Sequence, residues 1–383
     1  MFSSRSNDTP ATRLATRLSF FAAGVGAASW APLVPYAKAR LAIDDGMLGV
    51  LLLCLGTGSV LVMPAAGGLI GRFGSRAVIL AAGVGYALAL PGLAMGGSLA
   101  IVAMSLVLFG ASLGAMDVAM NVHAVDVERD APVPIMSGFH GLFSVGGVVG
   151  AGGIATLLAT GASLGMATVA GILVVAASLA VAAPRYLTAR PNAQAPFVVR
   201  PRGLVLLLGV LAFVTFLVEG AVLDWSALLM TTSLDVPAAQ GGIAYAVFSV
   251  AMTVGRLIGD RIVALLGRRR VLVCGGLVAS AGLALVVWTS TPAVALAGFL
   301  LIGIGASNVV PVLFTQAGRQ TSMPTGLAIA AMTTIGYAGI LAGPAVVGFV
   351  AQAFTLPAAF AMLAVLMLLV PVCARVATKS PLP

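Results

Sequence analysis

Three of the eleven acidic residues interrupt long apolar stretches of the chain: Asp117, Glu219 and Asp224. A carboxyl group in a medium of low dielectric constant is harder to ionise, so it can take up and release a proton near neutral pH. A charge at the centre of a bilayer costs about 2.5–3.5 kcal/mol on insertion scales, and it is expected to face a cavity or a partner. We therefore take these three residues as the candidates for proton coupling.

Asp117 lies on one face of a predicted helix with Gly110, Gly114 and Asn121, because their spacing is i, i+4, i+7 and i+11. Glycines let a neighbouring helix approach closely, and the face then presents a carboxylate and an amide to the interior. We predict that Asp117 carries the proton and that Asn121 contacts a solute. The alternative is a structural hydrogen bond that holds this helix against its neighbours.

Glu219 and Asp224 are five residues apart, which places them about 140° apart on an unbroken helix. Both can face one cavity only if the helix is distorted near Gly220. We expect Glu219 to lie towards the centre of its span and Asp224 nearer the outer end. Trp225, beside Asp224, is a candidate solute contact, and an interfacial anchor is the alternative for it.

His140 and Arg256 also lie inside apolar stretches. A histidine near a helix end can relay protons or contact a solute, and a hydrogen-bonded structural residue is the alternative for His140. Asp260 follows Arg256 by four residues, the spacing of an intrahelical ion pair. That pair would leave no unpaired cation in a cavity helix, which weighs against a strongly anionic substrate such as a phosphate ester.

The amino-acid composition indicates which class of protein holds these residues. Only 8% of the 383 residues are charged, against about 25% in soluble domains, and the mean hydropathy is +1.13. This excludes a soluble enzyme, a disordered protein and a nucleic-acid binder. Two histidines and three scattered cysteines form no metal-ligand pattern, so we expect no cofactor, no metal and no enzymatic activity.

The apolar stretches predict twelve membrane spans, since a bilayer core needs about 20 apolar residues per helix. Pro32 and Pro35 interrupt the first span, and such breaks are tolerated where neighbouring helices or a cavity satisfy the freed backbone groups. The predicted spans are 19–37, 46–70, 77–96, 99–124, 137–158, 163–184, 203–231, 238–264, 270–290, 293–317, 323–351 and 355–376.

The cations are distributed very unequally between the two sides of the predicted membrane. Seventeen of the 20 fall on the side of the N-terminus, whereas Lys38 and Arg40 lie on the other side and Arg256 lies within a span. Positive charge is retained in cytoplasmic loops, so we expect both termini in the cytoplasm and the chain in a bacterial-type inner membrane.

A hydrophilic stretch at 185–202 divides the spans into two sets of six. We predict an N-terminal bundle at 1–184, a cytoplasmic linker at 185–202 and a C-terminal bundle at 203–383. The two halves repeat a glycine-flanked segment, Gly67–Gly71 and Gly255–Gly259, each followed by a basic loop. Two related six-helix halves are typical of transporters that rock around a site at the membrane midplane.

The segment from Gly67 to Arg76 resembles the major facilitator superfamily, whose loop between spans 2 and 3 typically reads G-x-x-x-D-R-x-G-R-R. The acidic position is Gly71 in this chain. In the second half the acidic position falls on Ala264, with Asp260 one turn earlier. The resemblance implies a cytoplasmic gate, which we assign to Gly67, Arg72, Gly74, Arg76, Arg256, Asp260, Arg261 and Arg268.

A narrower resemblance, to the MosC-like and YbjJ-like branch of that superfamily, covers nearly the whole chain. It rests on the segments Ser29–Trp30, Asp117–Val122, His140–Gly146, Glu219–Trp225 and Thr334–Tyr337.

The superfamily resemblance implies an all-α membrane protein whose twelve helices form two pseudo-symmetric six-helix bundles, with spans 1, 4, 7 and 10 lining the cavity. Trp30 and Asn308 then become candidate solute contacts, since the tryptophan ring suits a sugar or an organic cation. Together with Asn121, Trp225 and His140 they form the predicted solute site.

The resemblance implies a secondary active transporter that works by alternating access. We expect a small neutral or weakly basic polar solute, with the branch hinting at a sugar-like or polyol-like one, and proton coupling through the three carboxylates. The partners would be solute, protons and lipid, without nucleic acid, and the chain would be a monomer. One alternative is a drug or metabolite/proton antiporter, although such antiporters usually have an arginine in span 4 and a proline in span 5, and this chain has neither. The other alternative is a non-transporting solute sensor.

Overall fold

The computed structural model describes residues 6–188, 196, 199–237 and 240–379, and in this part of the chain all regular structure is helical. The helices are α1 Pro10–Ala28, α2 Val34–Leu41, α3 Asp45–Met95, α4 Leu99–Arg129, α5 Met136–Ala159, α6 Leu164–Ala182, α7 Gly203–Ser233, α8 Ile243–Leu257, α9 Gly259–Leu266, α10 Arg268–Trp288, α11 Pro292–Ala306, α12 Val309–Arg319, α13 Thr325–Ala353, α14 Leu356–Met367 and α15 Leu369–Ala377.

The predicted twelve spans are confirmed. Ten helices or helix pairs of the described residues are long and apolar enough to cross a membrane, and the bent pair α8–α9 makes eleven. The 51-residue α3 contains two of the predicted spans and changes direction at Gly74. At about 1.5 Å per residue it is more than twice as long as a bilayer core is thick, so it supplies two spans.

Gly74 has φ 80° and ψ 159°, and its counterpart in the second half, Gly267, has φ 77° and ψ 152°. This backbone conformation is essentially limited to glycine. The motif glycine therefore makes the turn between two spans in the same way in both halves, which supports the internal repeat.

Some single spans contain an internal break, and a proline lies at the break of the first span and of the tenth. The first span is broken as predicted, with a short 3-10 turn at Ala31–Leu33 between α1 and α2. The eighth span differs from the prediction of one unbroken helix, because α8 and α9 meet at an angle of 60° around Ile258. The tenth span is broken between α11 and α12, just before Pro311.

Contacts divide the described residues into two compact units. Unit 1 comprises the described residues of Met1–Pro132, Leu142–Arg200 and Met323–Ala330, and unit 2 those of Val133–Gly141, Pro201–Ser322 and Ala331–Pro383. The boundaries of the predicted bundles and linker stay a prediction, and residues 189–195 and 197–198 of that linker lie outside the described residues.

Candidate functional site

Asp117 is buried in unit 1, and the glycines on its face of α4 explain its position. Gly110 lies so close to the backbone of α3 that a Cβ atom would collide with the carbonyl oxygen of Leu55. A Cβ atom on Gly114 would lie 2.8 Å from the carbonyl oxygen of Ser59, whose hydroxyl donates to the Gly110 carbonyl at 2.8 Å. The predicted close approach therefore exists, and α3 is the helix that makes it.

Asn121 bonds to Asp117 one turn earlier on α4. Its side-chain amide nitrogen donates to the Asp117 carbonyl oxygen at 2.9 Å and lies 3.4 Å from the Asp117 carboxylate Oδ1. The side-chain oxygen of Asn121 is buried and has no hydrogen-bond partner among the described residues. A carboxyl group and an unused amide acceptor thus lie side by side.

Tyr86, on α3, lies beside these two residues and was not among the candidates predicted from the sequence. Its hydroxyl is fully buried, has no hydrogen-bond partner among the described residues, and interacts electrostatically with Asp117. The Tyr86 ring packs against Gly26 of α1, so closely that a Cβ atom on this glycine would lie 3.0 Å from the ring. The ring also packs edge-on to Phe109, with 5.2 Å between the centroids. A tyrosine in the middle of an otherwise apolar predicted span was the available signal.

Trp30 is also in unit 1, at the break between α1 and α2, one turn beyond Gly26. It is 5% exposed, and its indole N–H has no partner among the described residues. We use the name unit 1 cluster for Tyr86, Asp117, Asn121 and Trp30, the last of which lies one turn beyond the glycine that the Tyr86 ring contacts. Tyr86, Asn121 and Trp30 each have a buried polar atom without a hydrogen-bond partner among the described residues.

His123 is a structural residue. Its Nδ1 lies 2.9 Å from the Thr16 hydroxyl, and its Nε2 accepts from the Leu187 backbone N–H at 3.2 Å. Tyr186 packs edge-on to its ring and hydrogen-bonds to Ser19 at 2.6 Å. Burial raises the pKa of Tyr186 to about 12, so this hydroxyl stays protonated at neutral pH.

In unit 2, Glu219 and Arg256 form an ion pair between α7 and α8, with 3.5 Å between the carboxylate Oε2 and Nη2. The spacing along the sequence predicted a pair between Arg256 and Asp260 on one continuous helix, whereas the bend after Leu257 places the two residues on different helices. The pair with Glu219 instead joins two spans, and pairing of Arg256 with Asp260 stays a prediction. Arg256 is nevertheless paired, so the argument against a strongly anionic substrate stands.

Asp260 bonds to the start of α5. Its carboxylate Oδ1 accepts from the Gly138 backbone N–H at 3.1 Å, so it satisfies a donor of the first helical turn. His140, two residues further, is buried, packs on Phe314 at 5.4 Å between ring centroids, and interacts electrostatically with Arg256. The gate candidates Arg256 and Asp260 and the solute candidate His140 thus lie in one region of unit 2.

Asn308 has a clear structural role at the break between α11 and α12. Its amide nitrogen donates to the carbonyl oxygen of Gly255 and to the hydroxyl of Ser307, both at 3.0 Å. Its side-chain oxygen has no partner among the described residues. The role predicted for it, a solute contact, stays a prediction.

Asp224 and Trp225 are separated from Glu219 on α7, which runs without a break from Gly203 to Ser233. Asp224 is exposed, while Trp225 is half-buried and packs against Gly348. Because the helix is not distorted near Gly220, Asp224 does not share the face of Glu219. The structure brings Glu219, Arg256 and His140 together and leaves Asp224 outside.

The other gate candidates divide into packed and exposed residues. A Cβ atom on Gly67 would lie 2.9 Å from both the Ala330 side chain and the Gly326 carbonyl oxygen, so α3 and α13 touch there within unit 1. Arg268 is half-buried. The remaining candidates are on the surface: Arg72, Arg76 and Arg261.

The chemistry open to these clusters is proton transfer and hydrogen bonding. Among the described residues, no group of three or more histidine, cysteine, aspartate or glutamate side chains is placed to hold a metal ion. The unit 1 cluster offers a carboxyl, a phenol, an amide oxygen and an indole N–H. In unit 2, Glu219, Arg256 and His140 offer an imidazole and an ion pair, and one buried oxygen of the glutamate, Oε1, has no hydrogen-bond partner among the described residues.

Comparisons with known proteins agree with this architecture. A family model of the Major Facilitator Superfamily matches residues 208–383. An uncharacterized MFS-type transporter of Yersinia pestis is 50% identical over 96% of both chains. The membrane protein MosC of Rhizobium meliloti is 32% identical, covering 89% of this chain and 84% of its own. Among solved structures, the E. coli fucose:proton symporter FucP superposes with a TM-score of 0.76 at 18% identity, over 98% of this chain and 100% of its own.

Proposed function

The chain belongs to the major facilitator superfamily of transporters, and we propose that it is a secondary active transporter that moves a small, neutral or weakly basic polar solute together with protons. Alternating access would carry the solute across a bacterial-type inner membrane, with both termini in the cytoplasm. The strong excess of cations on one side of the predicted spans supports this orientation. We further propose that the chain acts as a monomer.

The observation that carries the proposal is the set of unbonded polar atoms in the unit 1 cluster. The Tyr86 hydroxyl, the Asn121 side-chain oxygen and the Trp30 indole N–H are buried without a partner among the described residues. Each such atom costs about 1–3 kcal/mol of folding stability, and native proteins contain few of them. A transported solute that supplies the missing hydrogen bonds would explain why three such atoms remain in unit 1, two of them on residues that interact with the Asp117 carboxyl group.

The types of these atoms support the proposed class of solute. The phenol and the indole N–H donate, the amide oxygen accepts, and the Asp117 carboxyl does either according to its protonation. Hydroxyl groups of a sugar or polyol both donate and accept hydrogen bonds, so they match the donors and the acceptors of the cluster. A protonated amine only donates, so it matches the amide oxygen and the carboxylate. FucP, which shares the fold, is described as a fucose:proton symporter, which supports a sugar-like solute and a proton.

Asp117 would couple the proton to the solute through the same hydrogen bonds. A protonated carboxyl donates one hydrogen bond, whereas the carboxylate only accepts. A solute held by the protonated form therefore loses a bond when the proton leaves. Release of proton and solute to the same side follows from that dependence.

Reconstituted protein tests the proposal. A thermal-shift screen of purified protein against sugars, polyols, amines and drugs selects the ligand, because a ligand stabilises the state it binds. Proteoliposomes loaded with that ligand should then show counterflow, and uptake should rise with an imposed proton gradient. Absence of stabilisation, counterflow and gradient-driven uptake across the whole panel would reject the proposal.

Tyr86→Phe removes the phenolic oxygen and leaves the ring. We expect the apparent affinity for the selected solute to fall about three- to tenfold, since one neutral hydrogen bond contributes about 0.5–1.5 kcal/mol. Thermal stability without solute should stay the same or rise, because the removed hydroxyl has no partner. Solute titrations by thermal shift and counterflow measure both quantities.

Tyr186→Phe is the matched control, because that hydroxyl does have a partner, Ser19 at 2.6 Å. It should lower stability and leave solute affinity unchanged. If Tyr86→Phe instead behaves like this control, the hydroxyl of Tyr86 has a structural role and not a solute-binding one.

A further inference from the structure

Two broken membrane helices lie against each other in unit 2. The eighth span bends by 60° between α8 and α9, and the tenth is interrupted between α11 and α12. A break in a helix frees backbone carbonyl groups, and within a membrane these need other hydrogen-bond donors. Each of the two breaks receives its donor from a side chain of the other span.

The first bond runs from the tenth span to the eighth: the Asn308 amide donates to the carbonyl oxygen of Gly255 at 3.0 Å. The second runs the opposite way. In a regular helix the Ser307 carbonyl would accept from residue 311, but Pro311 has no N–H, and Nε of Arg256 lies 3.4 Å from that oxygen. We call these two reciprocal bonds the backbone clasp.

Two glycines of the eighth span permit the clasp. A Cβ atom on Gly255 would lie 2.5 Å from the Ser307 hydroxyl, and one on Gly259 would collide with the side-chain oxygen of Asn308. The repeated segment Gly255–Gly259 therefore places both of its glycines against the break of the tenth span. A Cβ atom at either position would displace the side chain of Ser307 or Asn308 and so disturb the clasp.

Arg256 connects the clasp to a carboxylate. While Nε serves the Ser307 carbonyl, Nη2 pairs with the Oε2 atom of Glu219 on α7. The guanidinium is planar and rigid, so its two contacts are geometrically coupled. Arg256 and Glu219 side chains are 10% and 18% exposed, and His140 on α5 adds a further titratable group beside Arg256.

We propose that the Glu219–Arg256 ion pair is an electrostatic lock on the backbone clasp. While Glu219 is ionised, Arg256 stays in place and both breaks are held rigid. When Glu219 is neutralised, the attraction that holds the guanidinium in this position is lost, and because its two contacts are geometrically coupled, Arg256 also leaves the Ser307 carbonyl, which frees the eighth span to change its bend. Arg256 is then a positioning residue and does not contact the solute.

The lock also controls the attachment of α5. Asp260, on α9 just beyond the bend, accepts from the first turn of α5 at Gly138, and Leu257 packs on Gly141. A change of the bend moves α9 relative to this turn and opens that contact. The proposal goes beyond the proposed function, and of that function it assumes only alternating access.

A cysteine reporter at the α5–α9 contact tests the lock. Ser137 is 2% exposed, and its Cβ would lie 2.6 Å from a Cβ atom on Gly259. The Ser137→Cys variant is made after the native cysteines are changed to serine: Cys54, Cys274 and Cys373. The rate at which a water-soluble maleimide labels purified protein then reports how often α9 leaves α5.

Glu219→Gln should raise the labelling rate about tenfold or more, because removal of one partner from a buried ion pair strongly favours rearrangement. Arg256→Lys should raise it as well, since an ammonium group has no forked geometry to serve both contacts. Asn308→Ala should also raise it, by removing the other bond of the clasp without changing a charge. Asp224→Asn, an exposed acid on the same helix, should leave the rate unchanged.

The proposal is overturned if Glu219→Gln and Asn308→Ala both melt at lower temperature while their labelling rate equals that of the parent. The ion pair and the clasp would then stabilise the fold without controlling the α5–α9 contact. The assay contains neither solute nor proton gradient, so its result is independent of whether the proposed transport is found.

Discussion

Replacing Asp117 by asparagine is expected to abolish proton-driven accumulation of the solute, with the internal-to-external ratio falling to the equilibrium value, while counterflow persists. Asparagine has nearly the shape of the protonated carboxyl and keeps a donor and an acceptor, so Asn121 and the solute still find partners. It has no proton to release, however, so the gradient can no longer drive net uptake. Proteoliposomes with an imposed pH gradient measure accumulation, and equal solute on both sides measures exchange.

Asp126→Asn is the matched control for this change. Asp126 lies on the same helix, is partly exposed, and is 3.7 Å from Arg129 in an i, i+3 pair, which is worth little at a surface. We expect it to accumulate solute normally. Unchanged accumulation by Asp117→Asn would remove Asp117 from coupling, and loss of counterflow as well would assign it to solute binding or folding.

Gly110→Ala is expected to destabilise the protein by about 1–3 kcal/mol or more, as overpacking of a close helix contact does. The added methyl group would collide with the backbone carbonyl of Leu55, which has no rotamer to move away. The two helices must then separate, with loss of the bond from Ser59 to the Gly110 carbonyl. Asp117, two turns further on α4, would be displaced from Tyr86. Thermal unfolding in detergent and counterflow both report this effect.

Gly152→Ala on α5 shows what the same substitution does without a collision. Nothing lies within 4 Å of a Cβ atom there, so we expect unchanged or slightly higher stability, in line with the gain of about 0.5–1 kcal/mol for alanine over glycine inside a helix. If Gly110→Ala and Gly152→Ala have the same stability, the contact between α3 and α4 is looser than the structure indicates.

The spans and their interruption at Pro32 and Pro35 were predicted from the sequence. These features depend on local properties, namely runs of apolar side chains and a missing backbone N–H. The face that carries Gly110, Gly114, Asp117 and Asn121 was predicted for the same reason, because helical periodicity fixes which neighbours share a face.

The sequence determined that this chain is a twelve-span membrane protein of the superfamily and that few ionisable residues lie inside it. The tertiary structure decided which of them meet. Tyr86 approaches Asp117 from another helix, and Arg256 pairs with Glu219, 37 positions earlier in the chain and in a different span. Such pairs depend on the rotation of packed helices and on a bend at Ile258. Spacing along one helix carries no information about either, because both follow from contacts between residues far apart in the chain.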